Sequence, residues 1–394
     1  MASYFNRGFF NDAPNFFDMY ITDRRIYGFM KESETKGLSW PVALLVTGMI
    51  CLMAFLMARM FATGDTHILE RATLLPCTAS QSIQVLGKGV IYSDGTSLRA
   101  LNASGRQIWS YVVGANCGYA VGDGGVAGWS DDLLVALNAS SGEVMFSASL
   151  AQPVLSATTG AQYTAALVGE ESDATLIVIE NSGREIDRIA LPDITVLDYG
   201  FFNSGNMLWV MSLDTNGTVP MSQVTTYRPG RMQAGSITDS EQVVYEVMFD
   251  TPRVSAVGTT YIRVYDYAGT ENAAQRKLIY GWYLMDSTNT QDGGLMAFVP
   301  MTEIGTKAEI NDIRLIRGDT DRTIRMPFTC FDIAVHGSSV YGFSSQYVMI
   351  HDLNATRAET YQLPFPCDGL IGVTAGKSVA LVSGDSVYLV SLPR

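Results

Sequence analysis

The chain has 394 residues, 47% hydrophobic and only 16% charged, which is ample material for a large core and excludes a disordered polymer. Its net charge of −13 is uneven: residues 1–39 balance five Lys/Arg against five Asp/Glu, whereas residues 60–394 hold 20 against 34. An acidic body without a basic run excludes nucleic acid and adsorption to anionic lipid as expected functions.

The first 39 residues are rich in aromatic rings: Tyr4, Phe5, Phe9, Phe10, Phe16, Phe17, Tyr20, Tyr27 and Phe29. Phe16, Met19, Tyr20, Ile26, Tyr27 and Met30 are spaced for a short amphipathic helix, broken at residues 23–25. Two destinations stay open for these rings. One is the headgroup layer of a membrane; the other is a partner docked through Phe16, Phe17, Tyr20, Tyr27 and Phe29.

Residues 40–58 read WPVALLVTGMICLMAFLMA, without a charge. At about 1.5 Å per residue they reach roughly 28 Å, close to the hydrocarbon thickness of a bilayer. A single transmembrane helix is expected over residues 40–62, in contact with membrane lipid. Arg24, Arg25, Lys31 and Lys36 precede it, against Arg59 and Arg71 after it. Positive charge therefore places the N-terminal tail in the cytoplasm and the remainder outside the cell membrane. The leader is too long for a cleaved signal peptide, so a signal-anchor is expected.

Beyond the span a turn recurs. RALNASGRQIW (residues 99–109) returns as VALNASSGEVMF (135–146) and IVIENSGREI (177–186), with weaker copies at TTYRPGRM, RVYDYAGTE, RLIRGDTDRTI and MIHDLNATRAETY. Each joins an alternating apolar strand to a second strand through a tight polar turn. Markers at Gly105, Gly142, Gly183, Gly230, Gly269, Gly318 and Thr356 are spaced by 37, 41, 47, 39, 49 and 38 residues. A period near forty built of short strands predicts an all-β domain, a β-propeller with one four-stranded blade per repeat, over residues 77–394.

The registers place blade starts at Cys77, Cys117, Pro153, Ile194, Val243, Trp282, Cys330 and Cys367, which makes eight blades, with seven as the alternative. The eighth has only three strands before the chain stops. A propeller must cover its edges, so the segment 63–76 is expected to be a linker and closing strand, with Ile68, Ala72 and Leu74 pairing into blade eight. The span then joins the rim of the disc.

Cys77, Cys117, Cys330 and Cys367 share the blade-start position, and Cys51 lies in the apolar span. Spacings of 40 and 37 residues are unlike zinc pairs, and His67, His336 and His351 are scattered, so no metal site is expected. Buried thiols and disulfides such as Cys77–Cys117 and Cys330–Cys367 both fit. GDGG (122–125) and DSTNTQDGG (286–294) are oxygen-rich but lack spaced carboxylates for Ca²⁺, so turn chemistry explains them. Asn102, Asn138, Asn216 and Asn354 sit in Asn-x-Ser/Thr sequons, three of them in the marker turn, where Asn serves the turn itself.

The repeat resembles the pyrroloquinoline-quinone-type propeller repeat, carried by Ala100-Leu101-Asn102, Ser104-Gly105 and Trp109, then by Ala136-Leu137-Asn138, Ser141-Gly142 and Phe146. The resemblance implies a turn shaped by Asn and Ser and an aromatic wedged between blades. In its layout the chain is similar to membrane-anchored propellers of Gram-positive anaerobes and, remotely, to propeller lipoproteins of outer-membrane assembly. The quinoprotein family's adjacent cysteines are missing, so neither the cofactor nor its activity is implied; no cofactor and no catalytic constellation is expected. The expected function is a protein-binding or scaffolding module of the cell envelope with an unidentified envelope partner. The alternative is an extracellular enzyme or small-ligand sensor using the central channel.

Overall fold

The computed structural model describes residues 67–393 apart from 203–204, 251–252, 289–293 and 305–307, together with Gly48, Met49, Cys51 and Met53. The aromatic tail, including Phe16, Phe17, Tyr20, Tyr27 and Phe29, lies outside the described residues, as does most of 40–62. The four described positions of that segment are helical and exposed. Among the described residues no helix is long and apolar enough to cross a membrane.

Residues 67–393 form eight antiparallel sheets in chain order. Blade one runs from Ile83–Leu86 to Gln107–Val112, blade two from Gly118–Gly122 to Val144–Ser149, and blade three from Val154–Thr159 to Glu185–Pro192. Blade four runs from Thr195–Phe202 to Gln233–Asp239, blade five from Val244–Asp250 to Lys277–Leu278, and blade six from Trp282–Thr288 to Thr320–Cys330. Blade seven runs from Asp332–His336 to Glu359–Gln362, and blade eight from Gly369–Val373 to Ser386–Ser391. The first strand of each is innermost. The count is eight, not seven.

The apolar core lies in the seams. One buried cluster fills each junction: Ile91, Leu98, Trp109 and Tyr119 between blades one and two, for example, and Val90, Tyr92, Leu75 and Leu389 between eight and one. Val90 and Ile91 are neighbours in one strand yet serve opposite seams, because side chains alternate along a strand. The strand Gly89–Ser93 is therefore buried at every position, and hydrophobic–polar alternation is lost from the middle strands.

The recurring turn ties each blade to the next. Asn102 Oδ1 accepts hydrogen bonds from the backbone of Ser104 (2.9 Å) and Arg106 (3.1 Å) and from the Ser104 hydroxyl (2.8 Å). Asn138 repeats this with Ser140 and Ser141. In blades five and seven Asp266 and Asp352 hold the same place, so Asn354 is not the capping residue but the one whose N–H Asp352 receives. Gly142 follows at φ 71°, and a Cβ there would stand 2.7 Å from Trp109 of the preceding blade. Trp109 donates its indole N–H to the carbonyl of Ala139 (2.9 Å). Between blades six and seven Arg322 takes this role, donating to the carbonyl of Leu353 (3.0 Å).

Ring closure uses the chain before blade one. Ala72 pairs with Val390, Thr73 with Leu389 and Leu74 with Tyr388, so Ala72–Thr78 is the outermost strand of blade eight. Ile68 does not join it. His67 and Ile68 instead pair in parallel with Tyr361 and Gln362 at the edge of blade seven. Leu69 enters the seam between blades seven and eight, so these residues stitch the two blades together. The strand runs on through Pro76, where pairing slips between Leu74 and Thr78. Proline has no N–H to give a ladder and is tolerated at such an irregular edge. Blade one accordingly starts at Ile83 rather than Cys77.

Candidate functional site in the acidic channel

Four innermost strands each bring one carboxylate towards the channel: Asp198 from blade four, Glu246 from five, Asp286 from six and Asp332 from seven. The innermost strands of blades one, two, three and eight carry none. In blades four to six the carboxylate follows a register slip, at Val196/Asp198, Val244/Glu246 and Leu284/Asp286. A bulge of this kind re-aims a side chain that regular alternation would send into a seam.

Each carboxylate accepts the N–H of the next residue, at 2.8 Å from Tyr199, 3.0 Å from Val247, 2.8 Å from Ser287 and 2.8 Å from Ile333. Asp286 also accepts the N–H of Val335 (2.6 Å), across the seam to blade seven. Loss of hydration inside the ring pushes all four above the ordinary carboxylate range, against the pull of these hydrogen bonds. Glu246 is raised further by Asp198 and Asp286, and Asp332, raised by burial and then by Asp286, reaches about 6.

Of these four, Asp332 also lines a cavity of about 640 Å³ bordered by blades six, seven and eight. Among the described residues, Glu309, Asp332 and Asp368 line it together with Cys330, Cys367 and Ser344, without a Lys or Arg. Among the described residues no three potential ligands stand close enough for a metal ion. An acidic surface of this kind is complementary to a cationic group on a binding partner.

Asp332 has a consequence for stability. Its pKa is about 6 in the folded protein against 3.8 for a free side chain, so between those values the folded state binds more protons than the unfolded one. Stability then falls as pH rises through that window. Asp332→Asn, which keeps an oxygen for the Ile333 N–H, is expected to be more stable than the parent at neutral pH. It should also flatten the dependence of the urea midpoint on pH between about 4 and 6; an unchanged slope refutes the assignment.

The four cysteines separate into different surroundings. Cys330 and Cys367 both line the acidic cavity, but each is a free thiol with its own acceptor, Phe328 (3.7 Å) and Ser344 (3.3 Å). Burial pushes both up to about 12, leaving them poor nucleophiles. Cys77, buried in the closing strand, is pushed up to about 11, while Cys117 is also free and lies 3.1 Å from the Ser93 hydroxyl.

His351 is structural. The Arg322 guanidinium can only donate, so His351 Nε2, 2.9 Å away, accepts and the ring is neutral with its proton on Nδ1. Burial, then the charge of Arg322, holds it below its ordinary pKa. In GDGG the glycines are required by close approach: a Cβ on Gly122 would lie 2.1 Å from the Thr159 carbonyl oxygen, and one on Gly124 1.8 Å from that of Gly160.

No protein-family model and no curated protein matches the sequence. Solved structures do match. The C-terminal WD40 domain of Sif2 superposes with a TM-score of 0.59 at 11% identity, covering 84% of this chain and 100% of that one. Sqt1 of Saccharomyces cerevisiae superposes at 0.55 with 8% identity, covering 82% and 100%. The chain is an eight-bladed propeller with WD40 neighbours. At these identities the likeness is one of fold. These likenesses show no link to quinoprotein-type repeats, to anchored propellers of Gram-positive anaerobes or to assembly lipoproteins.

The acidic arc was missed in the sequence because each member is a single carboxylate in an otherwise ordinary strand. Its signal is the spacing. Asp198, Glu246, Asp286 and Asp332 stand 48, 40 and 46 residues apart, the period of the blades themselves.

Proposed function

We propose that this protein is a single-pass membrane-anchored propeller whose extracytoplasmic disc is a protein-binding scaffold of the cell envelope. The acidic cavity, lined among the described residues by Glu309, Asp332 and Asp368 and by no Lys or Arg, carries this reading. It suits a Lys- or Arg-bearing segment of a partner, whose charge would be complementary to these carboxylates. The propeller architecture supports the same role, since a rigid frame presents loops on two faces. The uncharged run at 40–58 supports the anchor, and the aromatic tail supports a second contact on the cytoplasmic side.

Proximity labelling in the native cell, with tail and propeller as separate baits, tests the scaffold. Reproducible envelope or membrane proteins are expected from the propeller bait. The triple variant Glu309→Gln, Asp332→Asn, Asp368→Asn should lose at least about tenfold of the propeller-side capture while still unfolding in one cooperative transition. Capture insensitive to these changes removes the cavity from the proposal, and no reproducible capture removes the scaffold.

A further inference from the structure

Blade five is incomplete at its rim. Its fourth strand is only Lys277–Leu278, preceded by the single 3-10 turn Ala273–Gln275, whereas the strand in the fourth position of every other blade has four residues or more. The shortened strand leaves a gap against blade six, and a cavity of about 290 Å³ fills it. Its floor is Met248, Ile262, Met296 and Ile316, all members of the buried cluster of that seam.

The polar wall has an unusual charge inventory. Arg253 is neutralised by Asp250 at 2.8 Å and Arg276 by Glu271 at 2.9 Å. Two opposite charges in the lining are left over. Among the described residues neither the Lys277 ammonium nor the Asp319 carboxylate has a hydrogen bond or ion pair, and Lys277 acts on Asp321 only through space. A third group is also unsatisfied: Gln275, in the same lining, keeps Oε1 out of solvent without a hydrogen-bond partner. Buried acceptors in folded proteins are almost always paired.

We infer that this cavity is a binding site for a free apolar α-amino acid. Such a ligand has the required features together: a carboxylate for Lys277, an ammonium for Asp319 and Gln275 Oε1, and an aliphatic or thioether side chain for the Met/Ile floor. A volume of about 290 Å³ corresponds to about ten waters at roughly 30 Å³ each, which suits leucine or methionine. Polar groups that fix orientation over an apolar floor are the usual build of a small-ligand site. The site is separate from the acidic channel and does not depend on the scaffold reading.

Calorimetric titration of the full chain in detergent micelles with L-leucine tests the inference. Saturable one-to-one binding is expected, and 4-methylpentanoate, which lacks the ammonium, and 3-methylbutylamine, which lacks the carboxylate, should each bind at least about tenfold more weakly. Lys277→Gln and Asp319→Asn should each weaken leucine binding by about tenfold or more, whereas Lys88→Gln should leave it unchanged. Both altered side chains lie at the cavity wall, and a thermal unfolding scan without ligand confirms that the variants fold. Absence of saturation with leucine and methionine overturns the proposal. So does equal binding of either single-charge analogue, or leucine binding that survives both substitutions.

Discussion

A chain beginning at Ala79 is expected to lose cooperative folding, while one beginning at Asp65 keeps it. The difference between them is the segment that closes the ring. Ala72–Thr78 covers the open edge of Ser386–Ser391, and Leu69 and Leu75 are buried at 7% and 3% exposure in the seams on either side of blade eight. Burying one such leucine is worth about 1.5–3 kcal/mol, so losing both removes a large part of the roughly 5–15 kcal/mol that keeps a protein folded. The uncovered edge would also be a long apolar template for pairing with other chains. Urea unfolding and size-exclusion chromatography of the two truncations check this. Leu75→Ala in the full chain isolates the packing term and should cost about 2–5 kcal/mol. Equal stability of the two truncations would show that the ring holds without its closing strand.

Trp109→Ala is expected to cost about 3–5 kcal/mol in denaturant unfolding. The indole is 7% exposed, fills the seam between blades one and two, and donates the hydrogen bond to Ala139 that ties the two turns together. Gly142→Ala attacks the same contact from the other side. Its Cβ would stand 2.7 Å from the indole ring, at a φ of 71° that a side chain disfavours. If the two residues act as one joint, the double variant will be less destabilised than the sum of the singles, by about 0.5 kcal/mol or more. Strict additivity would mean that the glycine answers only to its own backbone.

The joint also explains which parts of the repeat are legible. Asn102, Ser104, Gly105 and Trp109 form a pattern because a turn, a positive φ and a wedge are requirements of neighbouring residues. Blade six meets the same need with Arg322, whose hydrogen bond to Leu353 stands in for the indole's. A charged side chain in an aromatic position looks like a degenerate copy, and only the bond across the seam reveals the substitution.

Local chemistry therefore determined much from the sequence alone: the forty-residue period, a ring of eight or seven blades, and a last blade that must borrow a strand from before the first. These follow from turn residues and from alternating side chains within a few positions of each other. The tertiary structure decided what depends on distances between strands forty residues apart. Closure of the ring converts four isolated carboxylates into one acidic arc, assigns Ile68 to blade seven and its neighbours to blade eight, and opens a cavity where one outer strand is cut short. Each of these is set by how adjacent blades meet, and the residues that meet are not near each other in the chain.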